Sequence, residues 1–254
     1  MTILELDIGR SVINIQIHRH LCRYMTPVPD KWTVIKTYTS KKNTVRKVEC
    51  DGKYYVVKKY HDDFITGLQV EEKVLEECGK NQVGVPEIIE KLEDSLILED
   101  ISGTNCKELF DSQETGAVLS GIAEWLCDFH SSFGHKKRRG DCILANFILS
   151  DTEIYGIDFE ESQEGNYLRD IGDMCTSILR MRPAFTFKRF RQIDYFLDEY
   201  FACSSKPRID ITDYLVESLL HYSNYGSQKE ELKRWAVRLK EVGLDNIIQS
   251  LRSE

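Results

Sequence analysis

The run from Arg139-Gly140-Asp141 through Asn146 to Asp158-Phe159-Glu160 gathers the side chains in this sequence best suited to chemistry. Asp141 and Asn146 are five residues apart, and Asp158 follows Asp141 by 17. The residues between read as two strands, 143–149 and 153–159, joined by a turn. A carboxylate, an amide and a second carboxylate would then sit at the ends of a hairpin. Hard oxygen ligands of this kind hold Mg²⁺, and the other carboxylate remains free as a general base. Asp and Asn are common in turns, so the first pair alone says little. The full set, with apolar strands between its members, is what points to a site.

Those residues need a scaffold, and hydrophobic periodicity supplies one. Residues 12–18 partly alternate apolar and polar, and Pro27 and Pro29 then interrupt the chain. Strands are predicted over 32–39, 44–49 and 53–60, with Asp51-Gly52 as the tight turn of a hairpin. A helix follows, with Leu68, Glu71, Leu75 and Cys78 on one face and Gly79 near its stop. Two more strands are expected over 87–91 and 95–99. From there the pattern is helical over 116–130, 170–181, 187–202, 210–223 and 227–241, broken by the hairpin that carries the candidate site. The expectation is an α+β chain: a small antiparallel sheet with one helix over 1–100, then a mostly helical body over 101–254. No low-complexity linker divides them.

Composition narrows the function classes. The 254 residues carry 34 Lys+Arg against 42 Asp+Glu, a formal net charge of −8. That balance argues against a protein built to coat DNA or RNA. Apolar runs are far short of the roughly 20 residues needed to cross a bilayer, and the first residues lack a signal-peptide pattern. None of the eight cysteines forms a C-x-x-C pair, so zinc and thioredoxin-type readings lack support. A cytoplasmic protein with reduced thiols is the expectation.

On these motifs the sequence resembles the protein kinase-like superfamily. Arg139-Gly140-Asp141…Asn146 is similar to its catalytic loop, and Asp158-Phe159-Glu160 to its metal-binding Asp-Phe-Gly. The closer likeness is to the aminoglycoside and choline phosphotransferase-like branch and to the small atypical kinases of the KEOPS complex. The resemblance spans roughly residues 32–182 and implies a two-lobed kinase-like fold.

It also implies roles. Lys58, closing Tyr55-Val56-Val57-Lys58, would pair with the nucleotide phosphates, with its neighbour Lys59 as the alternative. Glu71 would steady that lysine, with Glu72 as the competitor. The backbone of Glu99 and Ile101 would hold the adenine edge. Asn146 and Asp158 would ligate Mg²⁺, and Asp141 would orient the acceptor hydroxyl and take its proton. Asp170 would brace the catalytic loop or cap a helix, and His130 reads as a packed, hydrogen-bonded core residue.

Three departures qualify the likeness. Residues 32–51 contain no glycine, so no Gly-rich loop covers the phosphates. Arg139 stands where His is usual. Only 11 residues separate Asp158 from Asp170, too few for a regulated activation segment. The implied activity is ATP- and Mg²⁺-dependent transfer of a phosphoryl group to a hydroxyl of a small molecule or glycan. The alternatives are an atypical Ser/Thr protein kinase or ATPase working with a protein partner, and a silent nucleotide-binding scaffold. Lys136, Lys137, Arg138 and Arg139 beside the loop could receive an anionic acceptor.

Overall fold

The computed structural model describes residues 32–40, 42–225 and 228–252. The expected strand at 12–18 and the prolines at 27 and 29 lie outside them. Among the described residues, chain contacts define two compact units, one from 32 to 65 and 88 to 100, the other from 66 to 87 and from 101 onward.

The first unit is a five-stranded sheet. Its strands are β1 (Thr33–Tyr38), β2 (Asn43–Cys50), β3 (Lys53–Tyr60), β4 (Ile88–Lys91) and β5 (Ser95–Glu99), in the order β1-β2-β3-β5-β4. Every pairing is antiparallel. The β2–β3 hairpin closes through Asp51 (φ 51°) and Gly52 (φ 76°). Two successive positive φ values suit a two-residue turn matching the strand twist, and Asp-Gly is a sequence that accepts them. Val48, Cys50, Tyr55, Val57 and Ile97 form a core cluster, with Trp32, Ile89 and Leu92 packed on it. Side chains alternate along β3, so Tyr55 and Val57 share one face while Lys58 and Tyr60 share the other.

The second unit opens with α1 (Ile65–Lys80), all but its first residue, and continues through β6 (Thr104–Asn105) and a single turn, α2 (Cys106–Leu109). Then come α3 (Thr115–Ser132), β7 (Lys137–Arg138), β8 (Phe147–Ser150), β9 (Glu153–Gly156) and β10 (Gln163–Glu164). Five helices complete it: α4 (Leu168–Leu179), α5 (Phe187–Cys203), α6 (Thr212–Tyr222), α7 (Lys229–Val242) and α8 (Leu244–Arg252). The two-residue strands and α2 carry no periodicity long enough to announce themselves.

Packing follows the apolar stripes. Val118, Leu119, Ile122, Leu126 and Phe129 of α3 are buried, as are Phe190, Ile193, Phe196 and Leu197 of α5, and the two helices pack together. The α4–α6 and α6–α7 pairs are the other main helix contacts. Trp125 joins several elements. Its indole N–H donates to the Gly84 carbonyl at 2.7 Å, and its ring stacks on Phe129 and Phe159 and meets Phe147 edge-on. Burying large side chains of this kind stabilises by about 1.5–3 kcal/mol each.

The hairpin is shorter than expected. Residues 144–146 form a 3-10 turn, and β8 begins only at Phe147. At the far end β9 stops at Gly156, because Asp158 adopts φ 65°, which breaks an extended strand. The last helix, α8, is set apart from α7 by Gly243 at φ 85°.

Candidate active site

The loop leaving β7 is held by two buried charged residues. Arg139 is 0% exposed, and its guanidinium points into the loop rather than to solvent. Nη1 donates to the carbonyls of Gly140 (2.8 Å) and Asp141 (3.1 Å). Nη2 donates to the carbonyls of Asn146 (3.2 Å) and Ile157. The plane lies 5.0 Å from the Phe147 ring centre and 4.9 Å from that of Phe159. One cation thereby ties the loop at Asp141 and Asn146 to the residue before Asp158. The Ile157 N–H completes the link by donating to the Asn146 carbonyl at 3.0 Å.

Asp170 is the second anchor. Oδ2 accepts the Arg139 N–H (2.5 Å) and meets His130 Nε2 (3.1 Å), while Oδ1 accepts the Gly140 N–H (3.1 Å). It lies in the first turn of α4, not at the cap, where Asn166 Oδ1 accepts the Leu168 N–H instead. Gly140 has φ 73°, and a Cβ there would run into the Glu161 carbonyl. The glycine before Asp141 is thus required by both backbone and space.

Asp141 itself sits at φ 38°. Its Oδ1 accepts the Tyr222 hydroxyl at 2.9 Å, and its Oδ2 accepts Asn146 Nδ2 at 3.2 Å. The same Nδ2 donates to the Asp141 carbonyl at 2.9 Å. This orients the Asn146 amide, its nitrogen turned to Asp141 and its oxygen turned away from these partners. Asp158, Glu160 and Glu71 bring one carboxylate oxygen each to within 4.8 Å of one another. Glu71, 1% exposed, also accepts the Phe159 N–H at 3.2 Å. Carboxylates this close repel unless a positive charge lies near, and their hard oxygens fit a divalent cation such as Mg²⁺. From the sequence, the expected metal ligands are Asn146 and Asp158, with Glu71 given to Lys58; that Glu71 comes close to Asp158 and Glu160 is visible only once α1 is packed against the Asp158 turn.

The remaining expected residues lie as follows. Lys58 is buried in the first unit, its Nζ 5.3 Å from the Tyr60 ring centre. Lys59 points to the opposite face and pairs with Asp94 at 2.9 Å, its side chain 53% exposed. Glu72 is half-buried one residue from Glu71. Glu99 ends β5, and Ile101 begins the return into the second unit. Of the basic run, Arg139 is spent inside the loop, Lys136 is exposed, and Lys137 lies over the Phe133 ring.

A cavity of about 240 Å³ opens beside Asp141 within the second unit, lined among others by Arg138, Glu161, Asp173, His221 and Tyr222. The Asp173 carboxylate accepts the Ser218 hydroxyl at 2.6 Å, and burial pushes its pKa up to about 7. Arg169 and Glu217 pair at 3.0 Å on its rim. Neither Asp173 nor Tyr222 carries a sequence signal: each meets its partner across 45 or 81 residues.

Solved structures share this fold. A choline/ethanolamine kinase family protein from Mesorhizobium loti matches with TM-score 0.64 at 12% identity, covering 95% of this chain and 100% of that one. An aminoglycoside-3'-phosphotransferase of type VIII matches with TM-score 0.59 at 14% identity, over 79% of this chain and 96% of that one. An amicoumacin kinase in complex with AMP-PNP, Ca²⁺ and Ami matches with TM-score 0.60 at 12% identity, over 94% and 96%. The chain therefore has the α+β protein kinase-like fold seen in aminoglycoside phosphotransferases and choline kinases. No protein-family model and no curated protein matches the sequence. Among the described residues, no helix is long and apolar enough to cross a membrane.

Proposed function

We propose that this protein is an ATP-dependent phosphotransferase that moves the γ-phosphoryl group to a hydroxyl of a small molecule or glycan. The observation that carries this reading is Asp141, presented on a braced loop at the edge of a cavity, with Asn146 and the Glu71–Asp158–Glu160 carboxylates in the same unit. The fold alone would not carry it, since one fold hosts many functions.

In this reading the acceptor hydroxyl donates to the Asp141 carboxylate, which orients the oxygen and takes its proton. The new O–P bond forms as the bond from the γ-phosphorus to the bridging oxygen breaks, and ADP leaves. Asn146 and Asp158 would hold Mg²⁺, with Glu160 beside them. Such an ion neutralises negative charge on the phosphates. Lys58 is assigned to the nucleotide phosphates, and the backbone of Glu99 and Ile101 to the adenine. Asp170 and Arg139 touch no substrate, and their part is to keep Asp141 and Asn146 in register.

The test is thermal unfolding with and without Mg²⁺–ATP, for the wild type and Asp158→Ala. Nucleotide at about 100 times Kd adds roughly 2.7 kcal/mol. For a chain of this size that is a rise of about 5–11 °C in Tm. The rise should need Mg²⁺ and vanish in Asp158→Ala. No rise in the wild type at millimolar nucleotide would sink the mechanism. A rise in the wild type justifies following ³²P transfer from ATP to a panel of sugars, amino alcohols and glycans.

A further inference from the structure

Tyr222 is the last residue of α6, and its hydroxyl donates to Asp141 Oδ1 at 2.9 Å. We infer that Tyr222 is a positioning residue that sets the plane of the Asp141 carboxylate, an inference resting on Asp141 being the acceptor-orienting base.

The geometry supports this in three ways. First, Asn146 alone cannot fix the carboxylate, because its Nδ2 divides between the Asp141 carbonyl and Oδ2. A carboxylate held at one oxygen still swings about that bond, whereas one held at both has its plane defined. Each oxygen has two acceptor directions, so the Tyr222 bond leaves room for an acceptor hydroxyl. Second, the phenol is itself held. The Arg180 guanidinium lies 5.2 Å from its ring centre, and Arg180 Nε donates to Gln228 Oε1 at 3.4 Å. One turn earlier on the same face of α6, Ser218 donates to Asp173 Oδ1 at 2.6 Å. Two hydroxyls at i and i+4 thus engage two aspartates lining one cavity, which registers the helix against the loop at two points. Third, burial and the negative charges of Asp173 and Asp141 push the phenol's pKa up, so it stays a proton donor at any working pH.

The experiment compares wild type, Tyr222→Phe, Asp141→Asn and the double variant. Phosphate release from Mg²⁺–ATP is followed, with water as the acceptor. The Phe change removes one oxygen and keeps the ring. We expect Tyr222→Phe to lower kcat roughly ten- to hundredfold, as for one lost hydrogen bond to a charged group. KM for Mg²⁺–ATP should stay within about twofold, because uniform binding is untouched. In the Asp141→Asn background the same change should add less than about twofold, since the residues act as one unit.

Wild-type kcat in Tyr222→Phe would overturn the inference while leaving the base assignment intact. An undiminished extra loss in the Asp141→Asn background would also overturn it, by showing that Tyr222 acts elsewhere. Unchanged turnover in Asp141→Asn would instead remove the base assignment, and this inference with it. A wild type that is stabilised by Mg²⁺–ATP yet transfers phosphate neither to water nor to any acceptor of the panel would count against an oriented base in the same way.

Discussion

His130 and Asp170, 40 residues apart in sequence, meet at 3.1 Å with both side chains 0% exposed. The carboxylate accepts from Nε2–H, and in the neutral imidazole Nδ1 then accepts the Tyr200 hydroxyl at 2.9 Å. One Asp170 carboxylate thus serves an α3 side chain and two backbone N–H groups of the loop. Asp170→Ala would orphan all three donors in the interior. The expected cost is about 3–5 kcal/mol, a fall of roughly 10 °C in Tm by calorimetry. Turnover in the surviving folded fraction should drop as well, because Gly140 and Asp141 lose their anchor.

Asp111 is gripped by the fully buried Arg189, whose two Nη atoms reach its two carboxylate oxygens, with Lys188 beside it. The Arg189 guanidinium holds the Asp111 carboxyl well below the usual carboxylate range. A depressed folded-state value means stability that is fully present above the unfolded value of about 4 and lost as pH falls through the folded one. Asp111→Asn should therefore be less stable than wild type by about 2 kcal/mol at pH 7, allowing for the aspartate's partial exposure. The gap should start to shrink as pH falls below about 4 and close only as pH passes through the much lower folded value, as read by urea unfolding across pH.

Asp173 has the opposite sign. Burial raises its folded value to about 7, so ionising it in the native state costs stability. The cost is absent below the unfolded value near 4 and complete above the folded one. Asp173→Asn, which keeps an oxygen for Ser218, should melt higher than wild type at pH 8–9. The gain, on the order of 1–3 kcal/mol, should fade as pH falls to about 4. No gain at pH 8 would show that the buried carboxylate is solvated or paired more fully than this.

Lys58 and Lys59 are adjacent but face oppositely, one buried and one paired with Asp94. If Lys58 serves the nucleotide, Lys58→Ala should lose most of the Mg²⁺–ATP-dependent rise in Tm. Lys59→Ala should retain it and cost at most about 1 kcal/mol of stability, as for an exposed ion pair. Equal responses would undo the assignment.

The parts of this architecture written locally were legible in the sequence. The β2–β3 hairpin follows from Asp51-Gly52, and α3 from the spacing of Val118, Ile122, Trp125 and Phe129. The Asp141–Asn146 and Asp158 pattern was legible too, because loop and hairpin are contiguous. What escaped were contacts between distant segments. Nothing near Tyr222 signals Asp141, and nothing near Ser218 signals Asp173. The strand expected over 143–149 begins only at Phe147, because 144–146 close a 3-10 turn and Arg139 claims the Asn146 carbonyl that a longer ladder would have used. Apolar spacing fixes which face of a segment is buried, but not which distant side chain it meets.

Asp141 and Asp158 both hold left-handed backbone conformations, at φ 38° and 65°. Asp and Asn tolerate that region far better than residues with longer side chains. The usual order of conservative replacement is thereby reversed at these two positions. Aspartate to glutamate keeps the charge but forces a longer side chain onto a strained backbone, while aspartate to asparagine keeps the backbone and surrenders the charge. If Asp141 and Asp158 serve as proposed, a lineage drifting away from activity would pass through asparagine and leave the architecture standing. One that retained activity would find almost no neighbouring residue type open to it.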